Sequence, residues 1–249
     1  MESRREIEKR VNWKRISRYT DISKAYYKKL IKSGDELELF EYNQVRITFK
    51  NKRKLYIKNT GDKKREDSLK RSRQAIYRIV KSNCGKHGDN LPIFITLTFK
   101  ENVTDLRSAN FEFKLFIQKL NYNLGIKLKY LCVPEFQKRG AVHYHLVAFN
   151  LPFVDLEQFQ SLWGHGYTRV ETTKKIDNIA AYISKYLSKN TLDKRMYGEK
   201  TYFTSRGLIR PKTSFYSVAI DNYLSSVNIK LIQRSSRGDY EFSKYKICK

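Results

Sequence analysis

Apolar and polar residues alternate from Glu36 to Lys58, a period of two that is typical of β-strands with one buried face. The pattern predicts two or three antiparallel strands in that region. In the next segment, Asp62 to Lys81, apolar residues recur at helical spacing among many basic ones, which predicts a basic amphipathic helix. The first thirty residues mix charge with tyrosine and predict a helix or a basic arm.

From Leu91 onward the pattern predicts the order strand, helix, strand, strand, helix, strand. The strands are expected at Leu91 to Phe99, Lys129 to Phe136, Ala141 to Phe149 and Gly166 to Glu171, and the helices at Asn110 to Leu120 and Leu156 to Trp163, followed by a further helix at Ile176 to Lys189. Two later strands are expected at Ser214 to Ala219 and Asn228 to Gln233. This order indicates an α+β fold, a ferredoxin- or RRM-like antiparallel sheet with helices on one face.

The chain is expected to divide into a basic N-terminal extension (1–90), a core (91–212) and C-terminal strands that complete the domain (213–249). Its formal net charge of +26 over 249 residues indicates a polyanionic partner, most simply nucleic acid. The basic excess is concentrated outside the core, since residues 1–90 hold 26 Lys and Arg against 12 Asp and Glu. A generally lysine-rich protein from an AT-rich genome would show the same charge.

Three widely separated cysteines, Cys84, Cys132 and Cys248, suggest neither a disulfide framework nor a zinc knuckle. The first residues lack the apolar stretch of a signal peptide, and no apolar run is long enough to span a bilayer. A soluble cytoplasmic protein without a membrane partner is therefore expected.

Two of the four histidines, His143 and His145, lie two residues apart on a predicted strand and so share one face. If 138–140 is a three-residue hairpin loop with Gly140 in the left-handed region, Glu135 lies directly across from His143. Two imidazoles and a carboxylate would suit Mg²⁺ or Mn²⁺ with positions left for water and phosphate. Zinc is also compatible with this set, and histidines with a purely structural role are the alternative.

Tyr182 and Tyr186 are four residues apart on a predicted helix, and Lys185 and Lys189 each follow a tyrosine by three residues. A tyrosine hydroxyl can attack a phosphodiester to form a phosphotyrosine, while a lysine offsets charge on the phosphate. The alternative is an aromatic pair that packs into the core. Phe99, Tyr144 and Trp163 are candidates either for base stacking or for the core.

Three blocks in this order resemble the HUH endonuclease superfamily, in particular the two-tyrosine rolling-circle replication initiators of phages, viruses and plasmids. The blocks are Phe94-Ile95-Thr96-Leu97-Thr98-Phe99, His143-Tyr144-His145 and Tyr182-x-x-Lys185-Tyr186-x-x-Lys189, and the resemblance extends over about Leu91 to Lys212.

The resemblance implies a metal-dependent nick in single-stranded DNA at a replication origin, with tyrosine joined to the 5′-phosphate. His143 and His145 would be metal ligands, and Tyr182 and Tyr186 alternating nucleophiles; Glu135 as third ligand rests on the register argument and on analogy. Thr96 and Thr98 are expected to line the DNA path. The chain lacks a Gly-x-x-x-x-Gly-Lys-Ser/Thr loop, so a host helicase and polymerase are the expected partners.

Two other functions remain open. A non-catalytic nucleic-acid-binding protein of ferredoxin-like fold would keep the charge but need neither histidine. A transposase or relaxase of the same superfamily would use one tyrosine, or tyrosines placed differently.

Overall fold

The computed structural model describes residues 22–49, 62–88, 91–173, 178–184, 194–196 and 198–248. The chain forms two compact units, one from residues 60–211 and the other from residues 1–59 together with 212–249. We call them the core unit and the flanking unit. Each contains a five-stranded antiparallel sheet together with helices, so the predicted α+β class is confirmed. Among the described residues, none of the helices has the length and apolar character needed to cross a membrane.

The core unit follows the predicted order of elements. Its strands are β3 (Ile93–Thr98), β4 (Tyr130–Phe136), β5 (Val142–Ala148), β6 (Thr168–Thr172) and β7 (Phe203–Thr204). They lie in the order β6-β3-β5-β4-β7, and the pairs are all antiparallel. The two strands central to the site, β4 and β5, are neighbours in this sheet. The first four strands with their connecting helices make the ferredoxin-like arrangement expected from the sequence.

Helices cover both faces of the core sheet. They are α1 (Asp62–Asn83), α2 (Leu106–Leu124), α3 (Leu156–Trp163) and α4 (Ile179–Ser184), with a 3₁₀ turn at Lys194–Met196. Helices α2 and α3 form the predicted layer, because their buried side chains pack with alternate residues of β3, β4 and β5. Helices α1 and α4 pack on the opposite residues of the same strands. The sheet is thus the middle of three layers.

The ends of α2 show why the chain forms a helix there. The Asp105 carboxylate accepts a hydrogen bond from the Ser108 backbone N–H and so satisfies one of the free donors of the first turn. At the other end Gly125 adopts φ 60°, and its N–H bonds to carbonyls of the last turn. Between these caps, six buried residues form the stripe that faces the sheet. The helix is accordingly longer at both ends than the apolar pattern alone predicted.

The flanking unit joins the two ends of the described chain. It contains β1 (Ile22–Ser33), β2 (Glu36–Phe49), β8 (Lys212–Ser214), helix α5 (Ser217–Ser226), β9 (Ile229–Arg237) and β10 (Tyr240–Ile247). The strand order is β8-β1-β2-β10-β9. A small core of Leu30, Leu37, Leu39 and Ile220 lies between one face of this sheet and α5.

Several sequence predictions for the flanking unit were wrong. Residues from Ile22 onward form a strand where a helix or a basic arm was expected, and Glu36–Phe49 is one strand, not two or three. The predicted strand at Ser214 to Ala219 gives way to α5 from Ser217, and β10 was not predicted. Helix α1, which the pattern had placed with the N-terminal extension, lies in the core unit.

Candidate active site

The β4–β5 hairpin has the register that the sequence predicted. Glu135 lies opposite His143, and Phe136 opposite Val142. Gln137 and Ala141 close the loop through a hydrogen bond of 2.9 Å from the Gln137 N–H to the Ala141 carbonyl, and Gly140 adopts φ 98°. Because of this loop, the Glu135 side chain lies on the same sheet face as the two histidines.

A threonine of β3 lies beside each histidine. Thr98 pairs with His143 and Thr96 with His145 across the β3–β5 ladder. The hydroxyl of Thr98 lies 3.1 Å from His143 Nδ1, and that of Thr96 lies 3.4 Å from His145 Nδ1. Hydrogen bonds at Nδ1 hold each ring so that Nε2 carries out the ring's remaining chemistry. The sequence had suggested these threonines as lining for a DNA path, and it missed their contact with the histidines.

Glu135 contacts the second histidine. Its Oε2 lies 2.8 Å from His145 Nε2, and the two side chains are 13% and 6% exposed. The His143 ring is adjacent, with 4.6 Å between the two imidazole centroids. Two imidazoles and one carboxylate therefore meet at one place on the sheet, and the carboxylate is shielded from water by its position.

The donor set fits a divalent metal ion chemically, since imidazole nitrogens and a carboxylate oxygen are ligands for Mn²⁺, Zn²⁺ and, through oxygen, Mg²⁺. As the side chains stand, the Glu135 carboxylate is hydrogen-bonded to His145. Within the described ranges, no group of three or more His, Cys, Asp or Glu side chains is already arranged to hold a metal ion. A bound ion would therefore have to replace the Glu135–His145 hydrogen bond.

An open depression of about 490 Å³ leads to this cluster. Glu135, His143 and His145 line it together with the loop residues Gln137, Lys138 and Arg139. The Arg139 guanidinium is fixed by the backbone carbonyls of Phe99 and Lys100 and by the Gln137 side-chain oxygen. A positive charge held in this way beside the cluster suits an anionic group such as a phosphate.

A second arginine supports the same loop from outside the depression. The Arg195 Nη1 donates a hydrogen bond of 3.2 Å to the Gly140 carbonyl, and its guanidinium lies 3.9 Å from the centroid of the Phe136 ring. A Cβ on Gly140 would approach Arg195 Nη1 to 3.3 Å. The loop that fixes the register is therefore itself held in place.

Tyr182 lies on α4, which packs on the histidine face of the sheet. Its half-buried ring meets the Phe94 ring edge to face at a centroid distance of 4.9 Å, and Phe94 stacks on His145 at 5.8 Å. One phenylalanine therefore separates the first candidate nucleophile from the imidazoles. Tyr186, Lys185 and Lys189 lie outside the described residues. The role of Phe94 as the ring between Tyr182 and His145 was not predicted from the sequence.

The opposite face of the sheet is core. Phe99, Tyr144 and Trp163 are each at most 2% exposed, so the question of stacking or core is settled in favour of core for these three. The Tyr144 hydroxyl donates a hydrogen bond to the Asn110 side chain, and burial raises the pKa of Tyr144 well above its ordinary value. Burial similarly raises the pKa of Tyr130 to about 12. These tyrosines stay protonated and have structural roles.

Comparison with known proteins gives two matches. Residues 92–191 match a family of replication-associated proteins, described as the replication-associated protein ORF2. The chain is also similar to the phasyl DNA replicon protein arp of Escherichia coli, with 28% identity over 49% of this chain and 52% of that protein. The chain thus spans about half the length of this curated relative. No solved structure matches the chain. Both names concern DNA replication, and the family match extends from β3 to α4, a range that includes His143, His145, Glu135 and Tyr182.

Proposed function

We propose that this protein is a rolling-circle replication initiator that nicks single-stranded DNA at an origin and later rejoins the strand. The observation that carries the proposal is the grouping of His143, His145 and Glu135 on one sheet face, with Tyr182 one aromatic ring away. The similarity to replication proteins over the same residues supports it.

His143, His145 and Glu135 would hold Mg²⁺ or Mn²⁺. When bound there, the ion would supply Lewis acidity to the scissile phosphate. The threonine hydroxyls on the Nδ1 side keep the two rings in a fixed orientation, which is the usual role of the groups behind a ligating histidine. Arg139, fixed by three acceptors, would hold a non-bridging phosphate oxygen at the mouth of the depression.

Tyr182 and Tyr186 would be the nucleophiles. In the nick, the phenolic oxygen bonds to phosphorus as the bond from phosphorus to the 3′-oxygen breaks. The phenol gives its proton to solvent, and the departing oxygen takes one up to become a 3′-hydroxyl that can prime synthesis. The 5′-phosphate stays on tyrosine, and attack by a 3′-hydroxyl reverses the step and joins strands. Lys185 and Lys189 would offset the charge that develops on the phosphate.

The proposal is tested by incubating the full chain with a library of single-stranded oligonucleotides and Mn²⁺. Denaturing gels should show cleaved DNA attached to protein, and mass spectrometry of the peptides should locate the adduct on Tyr182 or Tyr186. Each single Tyr→Phe variant should keep one of the two adducts, and Tyr182→Phe/Tyr186→Phe should lose both. Tyr122→Phe is the matched control, because Tyr122 is 89% exposed on α2.

Three outcomes separate the alternatives. An adduct that persists in the double variant would rule out both tyrosines as nucleophiles. Binding of single-stranded DNA without cleavage under any metal would favour a non-catalytic binding protein. Complete loss of nicking in one single variant would favour a one-tyrosine transposase or relaxase.

A further inference from the structure

The flanking sheet carries aromatic rings on the face that does not contact α5. Leu37 and Leu39 face α5, so the alternate residues of β2, Phe40 and Tyr42, face the other way. Their partners on β10 are also aromatic, since Phe40 pairs with Phe242 and Tyr42 with Tyr240. Four rings thus lie next to one another on two paired strands, and all four are half-buried.

The rings form a continuous surface, which we call the aromatic platform (Tyr26, Phe40, Tyr42, Phe215, Tyr240 and Phe242). Within it, neighbouring centroids are 4.6 to 6.5 Å apart. Phe40 and Tyr42 are close to parallel, with 12° between their planes. Burial and the neighbouring phenol groups raise the pKa of Tyr42, so its hydroxyl stays protonated and able to donate a hydrogen bond at neutral pH.

Basic side chains lie over the platform. Lys24 is 4.4 Å from the Phe215 centroid, Lys29 is 5.2 Å from that of Phe40, and the Arg46 guanidinium is 5.1 Å from that of Tyr42. Lys24 and Arg46 are exposed, and Arg46 also pairs with Asp239. Positive charges therefore surround the rings at the distances that separate a base from its own phosphate in a single strand.

An antiparallel sheet with one covered face normally presents polar residues on the other. Aromatic rings in a row, bordered by cations, are instead the combination that binds single strands, because every base has a π-face and every nucleotide a phosphate. We infer that the aromatic platform binds a single-stranded nucleic acid by base stacking. Duplexes would bind there weakly, since their bases are already stacked on each other.

This inference does not rest on the proposed nicking activity. The platform lies in the flanking unit and shares no residue with the His143, His145 and Glu135 cluster. A protein with no nuclease activity would still use it.

The test measures binding of fluorescent oligomers of about 20 nucleotides by anisotropy, with oligo-dT, oligo-rU and a duplex of matched length as three probes. The full chain is used in a His143→Ala/His145→Ala background, so that cleavage does not consume the DNA. Tyr42→Leu/Tyr240→Leu keeps apolar side chains but removes two stacking faces. Since stacking of one base contributes roughly 5- to 150-fold in affinity, the Kd for single strands should rise at least tenfold, and that for the duplex less than twofold. The two single-stranded probes show whether DNA or RNA is preferred.

Tyr245→Leu is the matched control, because Tyr245 lies on the same strand and packs on the α5 side. It should leave the Kd of all three probes within twofold. An oligomer carrying 5-iododeoxyuridine should form photo-cross-links to peptides containing residues 40–42 and 240–242. The inference is overturned if the platform variant, with an unchanged circular dichroism spectrum, binds single strands as the parent does, or loses duplex binding equally.

Discussion

The two sheets of this protein have the same number of strands and the same antiparallel pairing, yet they present their side chains differently. The core sheet is covered on both faces, by α2 and α3 on one and by α1 and α4 on the other. The flanking sheet is packed against α5 on one face, and its other face carries half-buried rings and cations. The same architecture therefore serves two purposes.

The difference is one of solvent access. On the core sheet, Thr98, His143, His145 and Glu135 hold each other by hydrogen bonds in a place where water competes little, and such polar networks are strong and rigid when satisfied. Rigid positioning is what chemistry requires. The rings of the flanking sheet have no such network among the contacts described above. They offer area, and area that any base can use is suited to holding a strand irrespective of its sequence.

The sharpest test of this division is His143→Ala/His145→Ala. Removing both imidazoles should lower metal-dependent cleavage of single-stranded DNA by about 10³-fold or more, because the phosphate loses its electrophilic assistance. The Kd for single strands should stay within threefold, since binding is assigned to the flanking unit. Initial cleavage rates and anisotropy, measured on one preparation, check both. Equal loss of binding and cleavage would end the division of labour.

A large effect on stability is expected from Trp163→Ala. The indole is fully buried against Phe99 and Phe116, and its Nε1 donates a hydrogen bond to the Thr98 carbonyl. Losing it should reduce the free energy of unfolding of the core unit by about 3–5 kcal/mol. Urea denaturation followed by circular dichroism measures the change. Phe153→Ala is the control, since Phe153 is 94% exposed and should cost less than about 0.5 kcal/mol.

A smaller and more specific effect is expected from Thr98→Val, which keeps the shape of the side chain and removes the hydroxyl beside His143 Nδ1. Loss of such a group behind a ligand typically costs about 10- to 100-fold in metal affinity or activity. The Mn²⁺ concentration for half-maximal cleavage should rise accordingly. Thr172→Val, on β6 of the same sheet, should leave it unchanged. A midpoint unaffected by Thr98→Val would remove the threonine from the site.

The smallest effect is a dependence of stability on pH through His87. Burial, and then the positive charge of Lys129, lower the pKa of His87 below its ordinary value of 6.5. The unfolded chain therefore takes up this proton before the folded one does. The stabilisation is complete above the unfolded-state pKa, about 6.5, and is lost as the pH falls through the folded-state pKa. Melting temperatures between about pH 7.5 and 5.5 should fall less steeply for His87→Gln, and a parallel fall would refute this assignment.

Much of the core unit could be predicted because its signals are local. The period-two strands, the apolar stripe of α2 and the glycine of the β4–β5 loop are each encoded within a few residues, and the loop alone set Glu135 opposite His143. The order of the strands and the ferredoxin-like class followed from these elements. The pairing of Glu135 with His145 did not, because it depends on the side-chain rotamer and not on the register.

The flanking unit was predicted poorly for the opposite reason. Its central pairing joins β2 to β10, which are about two hundred residues apart in the sequence, and no local pattern announces such a partner. The strand at Ile22–Ser33 bears six lysine or tyrosine side chains that resemble an exposed helix when taken alone. Similarly, the contacts of Thr96 and Thr98 with the histidines arise between strands β3 and β5, and the sequence shows only two threonines in an apolar run.

The insertion of the core unit between the two halves of the flanking sheet has a consequence for biosynthesis. On the ribosome, β1 and β2 can form a hairpin early, but the edge of β2 that receives β10 stays open until residues 60–211 have been made. The core unit contains all of its own strands in one continuous segment and can fold while the nascent chain is still growing. Assembly of the flanking sheet is then the last event, and the open edge of β2 is the place where a stalled or truncated chain would aggregate.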